Sequence, residues 1–180
     1  MLNLIQRLSS ISTKTHQVAR KAKKYNIKIL DTRKTTPGIR LFEKYAVKIG
    51  GGWNHRMDLS SGIMIKDNHI KAAGGIKKAI EKIRKKEKQF RIELEVDYYE
   101  QIEEGLKCSV DGFLLDNMRP EQIKKAVQLI KQKNKNIFVE ASGGITGKSL
   151  QGYLKTGVDA ISMGEITHSA PNIDIRLEIS

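Results

Sequence analysis

Residues 28–38 read KILDTRKTTPG. Ile27, Ile29 and Leu30, split only by Lys28, suit a short strand. The chain then passes at once into Asp31, Arg33 and Lys34 before Pro37-Gly38 turns it. Charge is costly to bury, so an apolar strand that ends on such a cluster leaves the core where charge is wanted. The same arrangement recurs along the chain. Residues 46–49 precede GGGWNHR, 63–65 precede KDNH, and 92–96 carry the acids of RIELEVD. Residues 112–115 precede DNM, 137–139 precede EASGGIT, and 160–163 precede GEITHS.

That makes seven strand candidates. Between most of them lie helical patterns, at 41–45, 76–87, 99–107, 120–131 and 147–155. Strands alternating with helices give βαβ units and a parallel sheet. An open doubly wound sheet would place its ligand only where strand order reverses. A β/α barrel gathers chemistry after every strand, at one rim. The sequence therefore predicts an α/β fold, a TIM-like, short or irregular β/α barrel of about seven parallel strands. It is short because a regular eight-unit barrel takes about 250 residues, and this chain has 180. One domain is expected, with leading helices over 1–24 and the barrel over 25–180. Leu4, Ile5, Leu8 and Ile11 mark the first of those helices, and residues 15–24 a second, basic one.

Hydrophobic residues make up 39% and charged residues 29%. No apolar run approaches the ~18 residues of a membrane span, so no membrane partner is expected. Cys108 is the only cysteine, which leaves neither a disulfide nor a cysteine metal cage within one chain. It reads as a small packed residue in a reducing compartment, the cytoplasm. The net charge of +13 sits partly in KKAIEKIRKKEKQFR and KQKNKN, which read as solvated faces, with Glu81 and Lys85 at i,i+4. Zinc-finger spacing is missing and aromatics are 6%, so no nucleic-acid partner is expected. The first thirty residues hold no Asp or Glu, which raises a transit peptide as an alternative to a structural helix.

The rim residues are Asp31, Arg33, Lys34, His55, Arg56, Lys66, Asp67, His69, Glu95, Asp97, Asp116, Glu140, Ser142, Gly143, Gly144, Gly164 and His168. Bases gather after the first three strands, carboxylates after the fourth and fifth, and a Gly/Ser cradle after the last two. The bases suit a ligand with several negative charges, Arg as a fork and Lys as a point charge. Glu95 and Asp116 offer hard oxygens for Mg²⁺ beside substrate phosphates. SGGIT and GEITHS offer backbone amides to a phosphate. Each signal also has a plainer reading. Arg33-Lys34 suits a surface pair, Glu95 a lysine inside the barrel, His69 and His168 scaffolding, and His16 has no role.

The stretch DTRKTTPGIRLFEKYAVKIGGGWNHRMDLSSGIMIKDNHI at 31–70 resembles the barrel domain of quinolinate phosphoribosyltransferase. IELEVD, GFLLDNMRPEQIKKAV, VEASGGIT and TGVDAISMGEITHSAPNIDI follow in that family's order. LNLIQRLSSIST resembles the family's helix leading into the barrel, which displaces the transit-peptide reading. The resemblance implies transfer of phosphoribose from 5-phosphoribosyl 1-pyrophosphate (PRPP) to quinolinate with decarboxylation. The products would be nicotinate mononucleotide, carbon dioxide and pyrophosphate, with Mg²⁺ as cofactor. It implies Arg33, His55, Arg56 and Lys66 for the quinolinate carboxylates, and Lys34 and Lys66 for pyrophosphate. Glu95 and Asp116 would serve metal and ribose hydroxyls, and Ser142, Gly143, Gly144, Gly164 and His168 the 5-phosphate. Lys34, Lys66, Glu95 and Asp116 form the catalytic set, and a homo-oligomer, dimer or higher, is implied. The family's N-terminal domain, with an arginine that reaches the partner's site, has no counterpart in these residues, so weak turnover by this chain is expected. Trp53 stands where the family often has a smaller or polar residue. The alternatives are a related barrel with another substrate, a ligand-binding remnant, and a basic RNA-binding module.

Overall fold

The structure, a computed structural model, describes residues 1–179. Helix α1 (Leu2–Lys23) leads in. β1 (Lys28–Leu30), α2 (Arg40–Ile49), β2 (Ile63–Ile65), α3 (Asp67–Ala73) and α4 (Ile76–Lys86) follow. Next come β3 (Ile92–Val96), α5 (Tyr99–Lys107), β4 (Gly112–Asp116) and α6 (Pro120–Lys133). The chain finishes with β5 (Phe138–Ser142), α7 (Leu150–Tyr153), β6 (Ala160–Ser162) and α8 (Glu165–His168). All ladders are parallel, in the order β1-β6-β5-β4-β3-β2.

Two expectations need correction. Residues 46–49 are not a strand but the end of α2. A short apolar run carries no period of its own, and here the buried positions Glu43, Lys44, Ala46 and Val47 follow the helical repeat. Trp53 takes the seventh ladder position as a single bridge to Leu30. Its N–H donates to Ile29 O at 2.8 Å, and Asp31 N–H donates to Trp53 O at 3.0 Å. The leading segment is one helix rather than two, because residues 2–23 contain neither Gly nor Pro to interrupt it. Its buried positions Ile11, Thr15, Val18 and Ala22 lie on one face, and α1 packs on α2, β1 and α8.

Smaller differences lie at the ends of elements. The helix expected over 147–155 is reduced to α7, and α3 and α8 add short turns after β2 and β6. β5 continues through Ser142, so Glu140 belongs to the strand. Glu81 pairs back to Lys77 at 4.0 Å rather than forward to Lys85.

Along β3 the buried residues Ile92, Leu94 and Val96 alternate with Glu93 and Glu95. Strand side chains alternate between faces, so the two glutamates share one face. That face is the inside of a barrel. From the Trp53 bridge through β1, β6, β5 and β4 to β3 there are five ladder steps, about 24 Å on a flat sheet at ~4.8 Å each. Yet His55 Nε2, two residues after Trp53, lies 3.6 Å from Glu93 Oε2 on β3 and 3.4 Å from Glu140 Oε2 on β5. The sheet therefore curls, as the TIM-like fold requires.

At the amino ends of the strands the same device appears twice. Asp111 Oδ2 accepts the N–H of Ile92 at 2.7 Å and Arg84 Nη2 at 2.6 Å. Asp159 Oδ2 accepts the N–H of Val139 and Lys131 Nζ, both at 2.8 Å. Each aspartate ties its own unit to the preceding strand and to the helix that leads into that strand. The carboxyl ends are left for chemistry.

Candidate active site

A cavity of about 750 Å³ opens at the carboxyl ends of the strands. Arg33, Lys34, His55, Arg56, Lys66, Glu95, Asp116, Ser142, Gly143, Gly144, Gly164 and His168 all line it, together with Glu140. Asp31, Asp67, His69 and Asp97 do not. Asp31 is fully buried beneath the rim. Asp67 pairs with Lys71 on α3 at 3.6 Å. His69 Nδ1 accepts the Lys66 N–H at 3.1 Å, and Asp97 N–H donates to Gln101 at 2.8 Å.

The loop after β1 is gripped through its backbone and its threonines. Buried Glu43 accepts the Thr36 N–H at 3.0 Å, Thr36 Oγ1 at 2.8 Å and Arg7 Nε at 3.0 Å. Thr167 Oγ1 donates to Lys34 O at 2.8 Å. Arg40 donates to Thr35 Oγ1 at 2.9 Å and Arg33 O at 3.2 Å, and also to Met57 O in the next loop at 3.3 Å. Under this loop Asp31 Oδ1 accepts Lys44 Nζ at 2.5 Å and the His55 N–H at 2.8 Å. Asn54, its amide nitrogen turned inward, donates to Asp31 Oδ2 at 2.9 Å. Burial raises the Asp31 carboxyl above its ordinary range, opposed by Lys44.

Arg56 is held loosely. Nη1 reaches Gly62 O at 3.4 Å and Nη2 reaches Met64 Sδ at 3.2 Å, while its buried Nε has no partner among the described residues. Burial, then the nearby charge of Arg33, lowers its pKa. Among the described residues Arg33, Lys34 and Arg56 form no ion pair with a carboxylate. Lys66 does, with Glu95. The cavity thus holds a cluster of unneutralised cations.

Across from it lie the acids. Asp116 is raised by burial, then by the charges of Glu95 and Asp97, with Lys66 and Lys34 opposing. Asn117 Nδ2 donates to Asp116 Oδ2 at 2.6 Å. Deeper in the barrel, burial and the charge of Glu140 push Glu93 up to about 8, with His55 and Arg56 opposing. His55 itself is raised, because the carboxylates of Glu140 and Glu93 outweigh its desolvation. At the rim, Glu95 and Asp116, which repel each other beside Lys66 and Lys34, offer hard oxygens that suit a divalent cation shared with a phosphate ligand.

The loop after β5 needs its glycines. Gly143 has φ +93°, and a Cβ there would lie 2.5 Å from Asn117 N. Gly144 has φ +59° and faces open space. A Cβ on Gly164 would lie 2.9 Å from His168 Nε2. Gly143 and Gly164 are thus kept as glycine by Asn117 and His168, and all three glycines line the cavity.

Sequence reasoning missed Ser162 and Glu93, although each shares the period-two parity of a rim residue on its own or a neighbouring strand. It also missed Lys44, which carries no signal, since a lysine in a helix reads as solvated.

The family described as "Quinolinate phosphoribosyl transferase, C-terminal domain" matches residues 11–178. The probable carboxylating nicotinate-nucleotide pyrophosphorylase of Bacillus subtilis is 46% identical over 181 residues, covering 100% of this chain and 62% of that protein. Its probable counterpart in Synechocystis is 41% identical over 179 residues, covering 99% of this chain and 61% of that protein. The solved nicotinate-nucleotide pyrophosphorylase of Francisella tularensis superposes with a TM-score of 0.91 at 41% identity, covering 97% of this chain and 61% of that one. The chain thus spans about three fifths of the length of the relatives it matches. It belongs to the quinolinate phosphoribosyltransferase C-terminal domain family.

Proposed function

We propose that the protein transfers phosphoribose from PRPP to quinolinate with decarboxylation, giving nicotinate mononucleotide, carbon dioxide and pyrophosphate in NAD biosynthesis. The observation that carries this is Arg56, a half-buried arginine whose buried Nε has no partner among the described residues, beside Arg33 and Lys34. A cation left so poorly satisfied is stabilised by an anion that enters the cavity. Two forks suit the adjacent carboxylates of quinolinate, with Lys66 close by.

Lys34 and Lys66 stabilise negative charge developing on the departing pyrophosphate. Fixed cations need no reorganisation as that charge appears. The amides of 142–144, with Gly164 and His168, take the 5-phosphate. Glu95 and Asp116 would hold Mg²⁺, directly or through water. When bound, the metal adds a divalent charge beside the phosphates and the ribose hydroxyls. Loss of the 2-carboxylate as carbon dioxide leaves its electron pair on C2, next to a positively charged ring nitrogen, and a proton from water then completes C2, so no side chain is asked to act as a general base.

A cytoplasmic setting is supported by the free thiol of Cys108. Self-association is supported by the exposed stripe Leu41, Tyr45 and Ile49 on α2, with Phe42 beside it. The test of the substrate reading is calorimetry with quinolinate and with nicotinate, which lacks one carboxylate. Tight binding of the first and weak binding of the second is expected. Equal binding of both would overturn the two-fork assignment.

A further inference from the structure

His55 is engaged on both sides of its ring by the protein. Nδ1 accepts the backbone N–H of Arg56 at 2.6 Å. Nε2 lies 3.4 Å from Glu140 Oε2 and 3.6 Å from Glu93 Oε2. A nitrogen that accepts an N–H must keep its lone pair, so these partners put the ring proton on Nε2, aimed at the two carboxylates. Glu140 is only 1% exposed, and its other oxygen accepts Ser162 Oγ at 2.5 Å. The main chain is fixed as well. The His55 N–H donates to Asp31 and its carbonyl accepts Lys44 Nζ at 3.2 Å.

Two consequences follow. The donor atoms of His55, Glu93 and Glu140 lie within 4.8 Å of one another, a grouping of the right types for a divalent cation. The proton on Nε2, however, occupies the lone pair that a metal would need. The ring also has no nitrogen left for a ligand in the cavity. What it does hold is the backbone of Arg56, whose guanidinium has only weak contacts of its own at Gly62 and Met64.

We propose that His55 is a positioning residue that aims Arg56 at an anionic ligand, held in its turn by Glu140 and Ser162. The line Ser162–Glu140–His55–Arg56 runs across the barrel interior from β6 through β5 to the loop beside β1. The proposal rests on the substrate reading above only for the identity of the anion.

The test reads ring protonation and affinity together. Long-range ¹⁵N–¹H correlation on histidine-labelled chain at pH 8 reports the His55 tautomer, with and without quinolinate. The expected result is an Nε2–H ring that quinolinate leaves unchanged. An Nδ1–H ring in the free protein, or a ring that becomes doubly protonated as quinolinate binds, would overturn the proposal. By calorimetry, Glu140→Gln and His55→Ala are expected to weaken quinolinate binding about tenfold. His55→Asn, whose Oδ1 can accept the Arg56 N–H, should recover most of that loss. A His55→Asn variant as weak as His55→Ala, with an unchanged unfolding midpoint, would mean that the ring itself meets the ligand. If wild-type chain binds no quinolinate, the substrate reading fails, and the tautomer of the free protein still decides the role of His55.

Discussion

Lys44 Nζ lies 2.5 Å from Asp31 Oδ1, and neither residue is exposed to solvent at all. This pair explains why an apolar strand ends in an aspartate. Asp31 is not a rim residue reaching for a ligand. It is the anchor that holds the His55 N–H and the Lys44 ammonium beneath the loops that carry the site.

Removing one partner leaves the other charge buried and alone, which costs about 3–5 kcal/mol. Lys44→Met is therefore expected to lower the urea midpoint sharply. Lys44→Met combined with Asp31→Asn should recover part of the loss. Equal midpoints for wild type and Lys44→Met would show that the pair contributes nothing.

Arg33→Ala and Arg56→Ala should each weaken quinolinate binding at least about tenfold, since charge-assisted contacts are worth ~1.5–3 kcal/mol. Circular dichroism should stay unchanged. Calorimetry that finds full affinity in both variants removes the two arginines from the carboxylate site.

Magnesium should tighten PRPP binding to wild-type chain by relieving the repulsion between Glu95 and Asp116. In the Glu95→Gln/Asp116→Asn double variant that enhancement should vanish. The same enhancement in both proteins would place the metal elsewhere.

Glu93 sets a pH dependence. Its folded value of about 8 stands above the ordinary 4.5. Between those values the folded state holds a proton that the unfolded state has released. Stability therefore falls as pH rises through this window and levels off above about 8. Glu93→Gln should lack the fall. Denaturant midpoints from pH 5 to 9 check this, and parallel curves for the two proteins would count against the raised Glu93.

The barrel and its rim were legible because an apolar run that breaks into charge is a local signal, repeated after nearly every strand. Residues 46–49 misled because four apolar-leaning residues fit a strand and a helix equally well. The true ladder contact, Trp53 to Leu30, is a single residue with no pattern to announce it. Glu93 was readable in principle, since it stands two residues before Glu95 on one strand face. The partnership of Lys44 with Asp31 was not, because it depends on how α2 lies across β1 rather than on either residue's neighbours.

Arg40 does not line the cavity, yet it touches Arg33 and Thr35 in one loop and Met57 in the other. The two loops that bear Arg33 and Arg56 are thereby joined like the arms of a caliper at a fixed opening. A ligand whose negative groups match that opening finds both cations ready at once, and one with a different spacing can satisfy only one of them. With Arg33 and Arg56 binding the ligand as proposed, discrimination between anions of equal charge would be set in part by a residue that need never meet them.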